Sequence, residues 1–353
     1  MIYLSLFNGI SAGRLALSRA GIKFDKYYIA EIDKFANKVS EFHYPDNIQL
    51  GDVSNWREWD IDWSNVGLVT AGFPCQSWSL AGKQLGDKDE RGKLFWTTLE
   101  IMSHVLENNP DAKFMLENVK MKKEFEEYIT LHTERALGYV NKTLINSSLL
   151  SAQNRQRYYW TNFEVSQPED KGILLKDIID CVNSELRPYE QRTNINNSKS
   201  KLIHIGNAVD IKGNETILRV YSTDGKSPTL STCQGGHRQP KIALDCNSYR
   251  KLTTKEFARL QTFPDGWCEN IVSNSQSYKC YGNAWTVDVI AHIFKCAYRE
   301  NKHEAIRPTV NYENHAVPIS EDLYTQSECN KRAEYLMSVR NVEVVCGEVW
   351  NER

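Results

Sequence analysis

One segment places a cysteine directly after a proline at the end of an apolar run, Ala71-Gly72-Phe73-Pro74-Cys75-Gln76-Ser77-Trp78-Ser79. The run that leads into it predicts a buried parallel strand, and proline cannot continue a strand ladder. The chain must therefore leave the sheet at Pro74 and carry Cys75 into the crevice beyond the strand, where open α/β sheets bind ligands. A thiol there is either a nucleophile activated by a neighbour or, like most single cysteines, a small buried apolar group.

A second candidate site is the glycine-containing turn Phe7-Asn8-Gly9-Ile10-Ser11, which lies between a predicted strand and a predicted helix. Gly9 allows the backbone to approach a ligand closely, and the start of the helix offers free N–H groups. The turn lacks the Gly-x-Gly-x-x-Gly pattern of dinucleotide sites, because Ser11 stands where a glycine would be needed.

Two acidic residues follow the next two predicted strands, Glu31 and Asp52. Glu31 could bind a ribose diol, and Asp52 could accept a hydrogen bond from an adenine amino group. Each could equally be a helix-capping or loop carboxylate. Together with the turn around Gly9, they outline a pocket for an adenosyl group that has no pyrophosphate site.

The elements that must position these residues alternate between strand and helix over the first 160 residues. Such alternation predicts an α/β fold with a mostly parallel sheet covered by helices on both faces. Strands are predicted at 3–7, 27–30, 47–50, 66–71, 113–116, 140–145 and 157–161, and helices at 12–20, 34–42, 94–106 and 125–137. Most of the polar residues of interest lie at the carboxyl end of a strand.

Composition is that of a globular protein, with 353 residues, 41% hydrophobic and 25% charged. No apolar run approaches the ~20 residues of a membrane span, and the amino terminus does not have the pattern of a signal peptide. The nine cysteines include no Cys-x-x-Cys pair. We therefore expect neither a disulfide framework nor a metal site, and a cytoplasmic location.

Charge is unevenly distributed although the net charge is only −2. Residues 186–260 contain 13 Lys or Arg against 6 Asp or Glu, a local excess of seven positive charges. A basic block of this kind indicates a DNA-binding face, or alternatively only a solvated surface.

Six segments, taken in order, resemble the motifs of DNA (cytosine-5)-methyltransferases. They are Leu6 to Ile10; Gly72 to Gln84; Glu117-Asn118-Val119; Gln153-Asn154-Arg155-Gln156-Arg157; Ser227-Pro228-Thr229-Leu230 with Gly235-Gly236; and Tyr281-Gly282-Asn283-Ala284-Trp285. The resemblance implies a Rossmann-like, S-adenosylmethionine-dependent methyltransferase fold with a small target-recognition domain. It also implies that double-stranded DNA is the substrate.

The resemblance assigns candidate residues to each part of the reaction. The catalytic ones are Cys75, Glu117, Arg155 and Arg157. Those expected to bind S-adenosylmethionine are Phe7, Asn8, Gly9, Ile10, Ser11, Glu31, Ile32, Asp52, Val53, Gly72, Pro74, Asn283, Ala284 and Trp285. Those expected to contact DNA are Gln76, Ser79, Gln153, Thr229, Gln234, Gly235, Gly236, Lys199, Lys201 and Lys212, with Asn194, Asn196 and Asn197 as further base-reading candidates.

The implied chemistry begins with the addition of Cys75 to C6 of a cytosine flipped out of the helix, which makes C5 nucleophilic. Glu117 would bond N3 and the exocyclic amine. Arg157, and less clearly Arg155, would hold O2 and a phosphate. The residues after Cys75 resemble a mobile loop that closes over the base.

Some positions depart from the usual motifs. Ile32 stands where many relatives have an aromatic residue to stack on adenine. Trp285, and Ser11-Ala12 in place of a Gly-Gly pair, are closer to the animal de novo branch of the family. The Cys-Phe-Thr tripeptide of the tRNA-methylating branch is absent. An RNA methyltransferase and a non-catalytic accessory subunit remain as alternatives.

The expected domains are residues 1–162 for catalysis and cofactor binding, 163–240 for target recognition, 241–300 for the return to the catalytic domain, and 301–353 as an extension. The extension is either a structural tail or a partner-binding segment. The resemblance to restriction-modification enzymes of prokaryotes and phages leaves open whether a cognate restriction enzyme exists or none does. The target sequence and the oligomeric state do not follow from the sequence.

Overall fold

The structure, a computed structural model, describes residues 1–74, 90–180, 185–192 and 202–299, and three short strands at 309–312, 315–318 and 343–345. Several residues singled out from the sequence lie outside these ranges. They are Cys75, Gln76, Ser79, Asn194, Asn196, Asn197, Lys199 and Lys201.

The first half of the chain forms a seven-stranded sheet. Its strands are β1 (Ile2–Leu6), β2 (Lys26–Ala30), β3 (Ile48–Gln49), β4 (Val66–Ala71), β5 (Lys113–Val119), β6 (Asn141–Asn146) and β7 (Gln156–Thr161). Their spatial order is β3-β2-β1-β4-β5-β7-β6, and only β7 runs antiparallel to its neighbours. The carboxyl ends of β1, β2, β4 and β5 therefore meet at one edge, as the predicted α/β fold requires.

Helices cover both faces of this sheet. They are α1 (Ala12–Ala20), α2 (Lys34–His43), α3 (Glu90–Asn108), α4 (Lys123–Leu137), α6 (Thr254–Leu260), α7 (Asn274–Asn283) and α8 (Val287–Ala297). The single turn α5 (Glu215–Leu218) packs instead on the second unit, described below. Successive residues of β1 enter opposite cores: Tyr3 packs with α1 and α8, whereas Leu4 packs with α3. This alternation follows from the two-residue period of a strand.

A second unit is a small closed barrel built from the basic part of the chain. Its strands are β8 (Arg187–Gln191), β9 (His204–Ala208), β10 (Arg219–Tyr221), β11 (Lys241–Ala243) and β12 (Ser248–Lys251). A separate small core, which includes Tyr189, Val220 and Tyr249, fills it. The three short strands β13 (Thr309–Tyr312), β14 (His315–Pro318) and β15 (Glu343–Val345) pair with one another in an antiparallel sheet.

A fully buried ion pair joins the barrel to the catalytic domain. Arg250, on the last barrel strand, donates to both carboxylate oxygens of Glu256 at 2.8 and 2.6 Å. Glu256 also closes a capping box with Thr253 at the start of α6. Both oxygens of the Glu256 carboxylate accept hydrogen bonds, so the charge can be buried without being left unpaired.

Most of the predicted elements of the first 160 residues are confirmed to within a few residues, and the helix over 12–20 and the strand over 66–71 are confirmed at both ends. The structure places the barrel at residues 187–251, across the predicted boundary at 240. Within the described residues, no helix combines the length and apolar character that crossing a membrane requires.

Candidate active site

A cavity of about 410 Å³ opens at the carboxyl ends of β1, β2, β4 and β5. It brings together fourteen of the residues expected to be catalytic or to bind the cofactor. These are Phe7, Gly9, Ile10, Glu31, Ile32, Asp52, Val53, Gly72, Pro74, Glu117, Arg155, Arg157, Asn283 and Ala284. The sheet topology explains this convergence, because the contributing loops leave neighbouring strands at the same edge.

The turn after β1 follows an unusual backbone path. Phe7, Gly9 and Ser11 have φ angles of 55°, 57° and 62°. Glycine adopts this left-handed region freely, but it is unfavourable for Phe7 and Ser11, so packing must hold the turn in place. The path directs the backbone N–H of Gly9 toward Glu31, whose Oε2 accepts it at 2.8 Å.

Glu31 is also held by its own loop, since Oε1 accepts from the backbone N–H groups of Ile32 at 2.9 Å and Asp33 at 2.8 Å. The carboxylate thus organises the loops after β1 and β2 while lining the cavity. A carboxylate has about four acceptor positions, so capacity remains for a ligand hydroxyl. The loop role and the ligand role considered from the sequence are therefore compatible.

Asp52 combines two roles in the same way. Its side chain caps the 3₁₀ helix Val53–Glu58 by accepting from Ser54 N at 2.8 Å, and it lines the cavity. Ile32 also lines the cavity, although 74% of its surface is exposed. An aliphatic side chain therefore stands at the rim of the cavity.

Asn8 and Ser11 lie behind the cavity wall. Asn8 donates to Ser11 Oγ at 3.0 Å, and Ser11 Oγ bonds Ser40 Oγ at 2.7 Å. Both residues are buried. Their contribution to a cofactor site would therefore be to shape the turn around Gly9.

Glu117 is the buried carboxylate of the site, with a side chain only 10% exposed. It lies on β5, and Arg157 enters from the antiparallel neighbour β7, whose register pairs Val119 with Arg157. The Nε of Arg157 lies 3.1 Å from Oε1 of Glu117. The adjacent Asn118 donates to the backbone oxygen of Phe73 at 3.3 Å, which fixes the chain just before Pro74.

Arg155 lines the cavity and also holds distant segments together. Its guanidinium donates to the backbone oxygens of Leu230 at 3.3 Å, Gly282 at 3.2 Å and Ala284 at 3.1 Å. These oxygens belong to the segments around 227–230 and 281–285. Arg155 is therefore a clamp between three distant parts of the sequence, and the base or phosphate contact expected for it stays a prediction.

Gln153, expected to contact DNA, makes hydrogen bonds within the protein. It is completely buried, accepts from Leu230 N at 2.9 Å and donates to Leu260 O at 3.2 Å. It also bonds Gln261, whose amide donates to Tyr281 O at 2.7 Å and Ala284 O at 2.9 Å. The network joins the segment around Leu230 to the end of α6 and to the segment around 281–284, and the DNA contact of Gln153 stays a prediction.

Sequence reasoning missed a bridge across the cavity. Lys279, on α7, lies 2.5 Å from Asp33, the residue that caps α2, and both line the cavity. Burial alone would raise the pKa of Asp33, but hydrogen bonds from Lys279 and the helix N–H groups lower it overall. The sequence signal for this contact is that Lys279 lies two residues before the motif Tyr281-Gly282-Asn283, which was expected to reach the cofactor site.

The remaining residues expected to contact DNA lie in the loops between the barrel strands β9, β10 and β11. Gln234, Gly235, Gly236 and Lys212 are exposed. Thr229 donates to Asn154 O at 2.6 Å, which joins its segment to the residues just before β7. The expected DNA contacts stay a prediction.

The sequence of residues 1–299 matches the profile of a family described as C-5 cytosine-specific DNA methylase. The chain belongs to that family. It is 31% identical over 315 residues to the type II methyltransferase M.HhaI of Haemophilus parahaemolyticus, covering 82% of this chain and 92% of the relative. It is 27% identical to the orphan methyltransferase M.SPBetaI of Bacillus phage SPbeta, covering 83% and 96%.

Solved structures support the same fold. The methyltransferase EhMeth of Entamoeba histolytica aligns with a TM-score of 0.63 at 15% identity, over 86% of this chain and 99% of that chain. The protein is thus a DNA cytosine-5 methyltransferase with a Rossmann-like fold. The predicted closeness to the animal de novo branch is not supported, because these sequence relatives are bacterial and phage enzymes.

The cavity fits an adenosyl sulfonium better than a dinucleotide. Glu31 and Asp52 can bond a ribose and an adenine amino group, and the apolar Phe7 and Val53 offer packing surface. Carboxylates beside the first turn would repel a pyrophosphate and attract the positive sulfur. The residues present therefore suit S-adenosylmethionine.

The clamp formed by Arg155 can be tested by Arg155→Lys. Lysine lacks the planar fork needed to reach several carbonyls, so the free energy of unfolding should fall by about 1–3 kcal/mol in urea titration. Arg57→Lys, at an exposed arginine paired with Glu100, is the matched control and should change stability little. Equal stability of the Arg155 variant and the wild type would contradict the clamp.

Proposed function

We propose that the protein transfers a methyl group from S-adenosylmethionine to C5 of a cytosine flipped out of DNA, through a covalent bond between Cys75 and C6. The observation that carries the proposal is that one cavity is lined by both Glu31 and Asp52 and by Glu117 and Arg157. A cofactor site and a base site in one cavity allow direct transfer between two bound molecules.

S-adenosylmethionine supplies an electrophilic methyl group on a sulfonium when bound. Glu31 would hold the ribose, Asp52 the adenine amino group, and the turn around Gly9 would place its backbone against the cofactor. Phe7, Ile32 and Val53 would exclude water from the adenosine.

The base half of the reaction belongs to Glu117, Arg157 and Cys75. Cys75 adds as a thiolate to C6, which gives C5 enamine character. Glu117 bonds N3 and the exocyclic amine and stabilises the charge that forms on the ring. Arg157 orients Glu117 and bonds O2. After methyl transfer, a base removes the C5 proton, and Cys75 leaves as the C5–C6 double bond returns, giving 5-methylcytosine.

We infer that the barrel and its flanking loops read the DNA sequence. Support comes from the basic composition of residues 186–260 and from the exposed loop Gln234-Gly235-Gly236. Lysines such as Lys199, Lys201 and Lys212 would contact phosphates without reading bases, whereas Asn194, Asn196, Asn197 and Gln234 can pair with base edges. Bacterial and phage relatives, including an orphan enzyme, favour action in the cytoplasm with or without a cognate restriction enzyme.

The nucleophile is tested by Cys75→Ser and a DNA substrate containing 5-fluorocytosine. Fluorine cannot leave as a proton does, so the wild type should form a stable covalent complex on denaturing gels. The serine variant should form none, since a hydroxyl is a far poorer nucleophile at neutral pH.

Cys296→Ser is the matched control. Cys296 lies on α8, where burial would raise the pKa of the thiol but hydrogen bonds from His292 and Ser166 lower it to about 7. Because its pKa is lowered, Cys296 is a stricter comparison than an ordinary thiol, and this substitution should leave trapping intact. Trapping by the Cys75→Ser variant at the wild-type rate would refute the assignment.

The cofactor is tested by thermal unfolding. S-adenosylmethionine should raise the Tm and a nicotinamide dinucleotide should not, since a ligand stabilises the state that binds it. Glu31→Ala should weaken cofactor binding by on the order of 1–3 kcal/mol, whereas Glu41→Ala, at an exposed residue of α2, should not. If the Glu31→Ala variant bound S-adenosylmethionine as tightly as the wild type, Glu31 would not be the residue that binds the ribose.

A further inference from the structure

Both oxygens of the Glu117 carboxylate are held by protein donors from distant segments. Oε1 lies 3.1 Å from the Nε of Arg157, and Oε2 accepts from the indole Nε1 of Trp285 at 3.0 Å. Trp285 was expected to bind the cofactor because of its place in the last motif. In the structure it does not line the cavity, and its polar atom is directed at Glu117 instead.

The indole occupies a space that Gly72 keeps open. A Cβ on Gly72 would come within 2.8 Å of the indole nitrogen and 3.0 Å of Oε2 of Glu117. Any larger residue at this position, directly after β4, would therefore displace the indole or the carboxylate. Gly13, on α1, also lies beside the ring, because a Cβ there would be at van der Waals distance, 3.5 Å, from Cζ3 of the indole. The contact is therefore part of the packed site and not an incidental surface approach.

We propose that Trp285 is a positioning residue that orients the Glu117 carboxylate toward the flipped cytosine. This inference rests on the proposed function. The indole nitrogen can only donate a hydrogen bond, so Oε2 must be the acceptor in this contact. Together with Arg157 it removes the rotational freedom of the carboxylate about its last bond. The remaining acceptor positions then face one direction.

The arrangement also couples the last motif to catalysis. Asn283 and Ala284 line the cavity, and Trp285 follows them directly. Arg155 and Gln261 hold Ala284 through its backbone oxygen. Correct docking of this segment therefore places the indole on Glu117, so that the wall of the cofactor cavity and the orientation of the catalytic carboxylate depend on one short stretch of chain.

Trp285→Phe tests the proposal, because it keeps an aromatic ring and removes the N–H donor. Single-turnover methyl transfer to DNA should slow by on the order of 10- to 100-fold, the usual consequence of losing a hydrogen bond to a charged group. The dissociation constant for S-adenosylmethionine, measured by calorimetry, should stay at its wild-type value. A residue that bound the cofactor would show the opposite pattern.

Trp160→Phe is the matched control. Its indole is buried and donates to Thr130 Oγ1 at 2.9 Å, but it lies outside the cavity. The control should transfer methyl groups at the wild-type rate, which separates the effect on Glu117 from a general loss of a buried hydrogen bond.

A double variant then decides whether Trp285 acts through Glu117. In the Glu117→Gln background, the carboxylate is gone, and Trp285→Phe should add much less than it costs alone. Full additivity, or a Trp285→Phe enzyme as fast as the wild type, would overturn this inference and leave the proposed function standing. A wild-type enzyme that methylates no DNA would instead remove the proposed function and this inference with it.

Discussion

The buried carboxylate of Glu117 imposes a constraint that the rest of the site satisfies. A charge with so little solvent access is costly unless donors surround it. Its two partners, Arg157 and Trp285, lie 40 and 168 residues away along the chain. The fold must therefore bring two remote segments to the end of β5. The antiparallel strand β7 carries Arg157 there, and the segment between α7 and α8 carries Trp285.

A second layer of polar contacts keeps those segments in register. Gln153, Arg155 and Gln261 are all buried. Arg155 and Gln261 donate to backbone oxygens of the segment around 281–284, and Arg155 and Gln153 both bond the backbone of Leu230. These contacts join segments that lie far apart in the sequence. Polar networks that are fully satisfied in this way specify one arrangement and resist local opening. This explains why motifs so far apart in sequence form one cavity.

Much of the catalytic domain could be predicted from the sequence because its signals are local. The alternation of apolar runs with amphipathic stretches predicted the strand over 66–71 and the helix over 12–20 at both ends, and it predicted 113–116 of the strand Lys113–Val119. Parallel topology then placed Glu31, Asp52 and Glu117 at one edge. The barrel could not be predicted from the sequence, because its strands are only three to five residues long and its closure depends on pairing between distant residues. The hydrogen bonds that Gln153, Arg155 and Trp285 make within the protein could not be predicted either, since a motif identifies a residue type but not the direction in which its side chain points.

The central claim is that one cavity joins a cofactor site to a cytosine site in DNA. It is tested most directly by incubating the purified protein with S-adenosylmethionine carrying a labelled methyl group and either double-stranded DNA or tRNA, followed by digestion to nucleosides. The account predicts label in 5-methyldeoxycytidine from DNA and none from tRNA, and it predicts that Glu117→Gln greatly reduces this transfer. Label confined to tRNA, or full transfer to DNA by the Glu117→Gln enzyme, would contradict it.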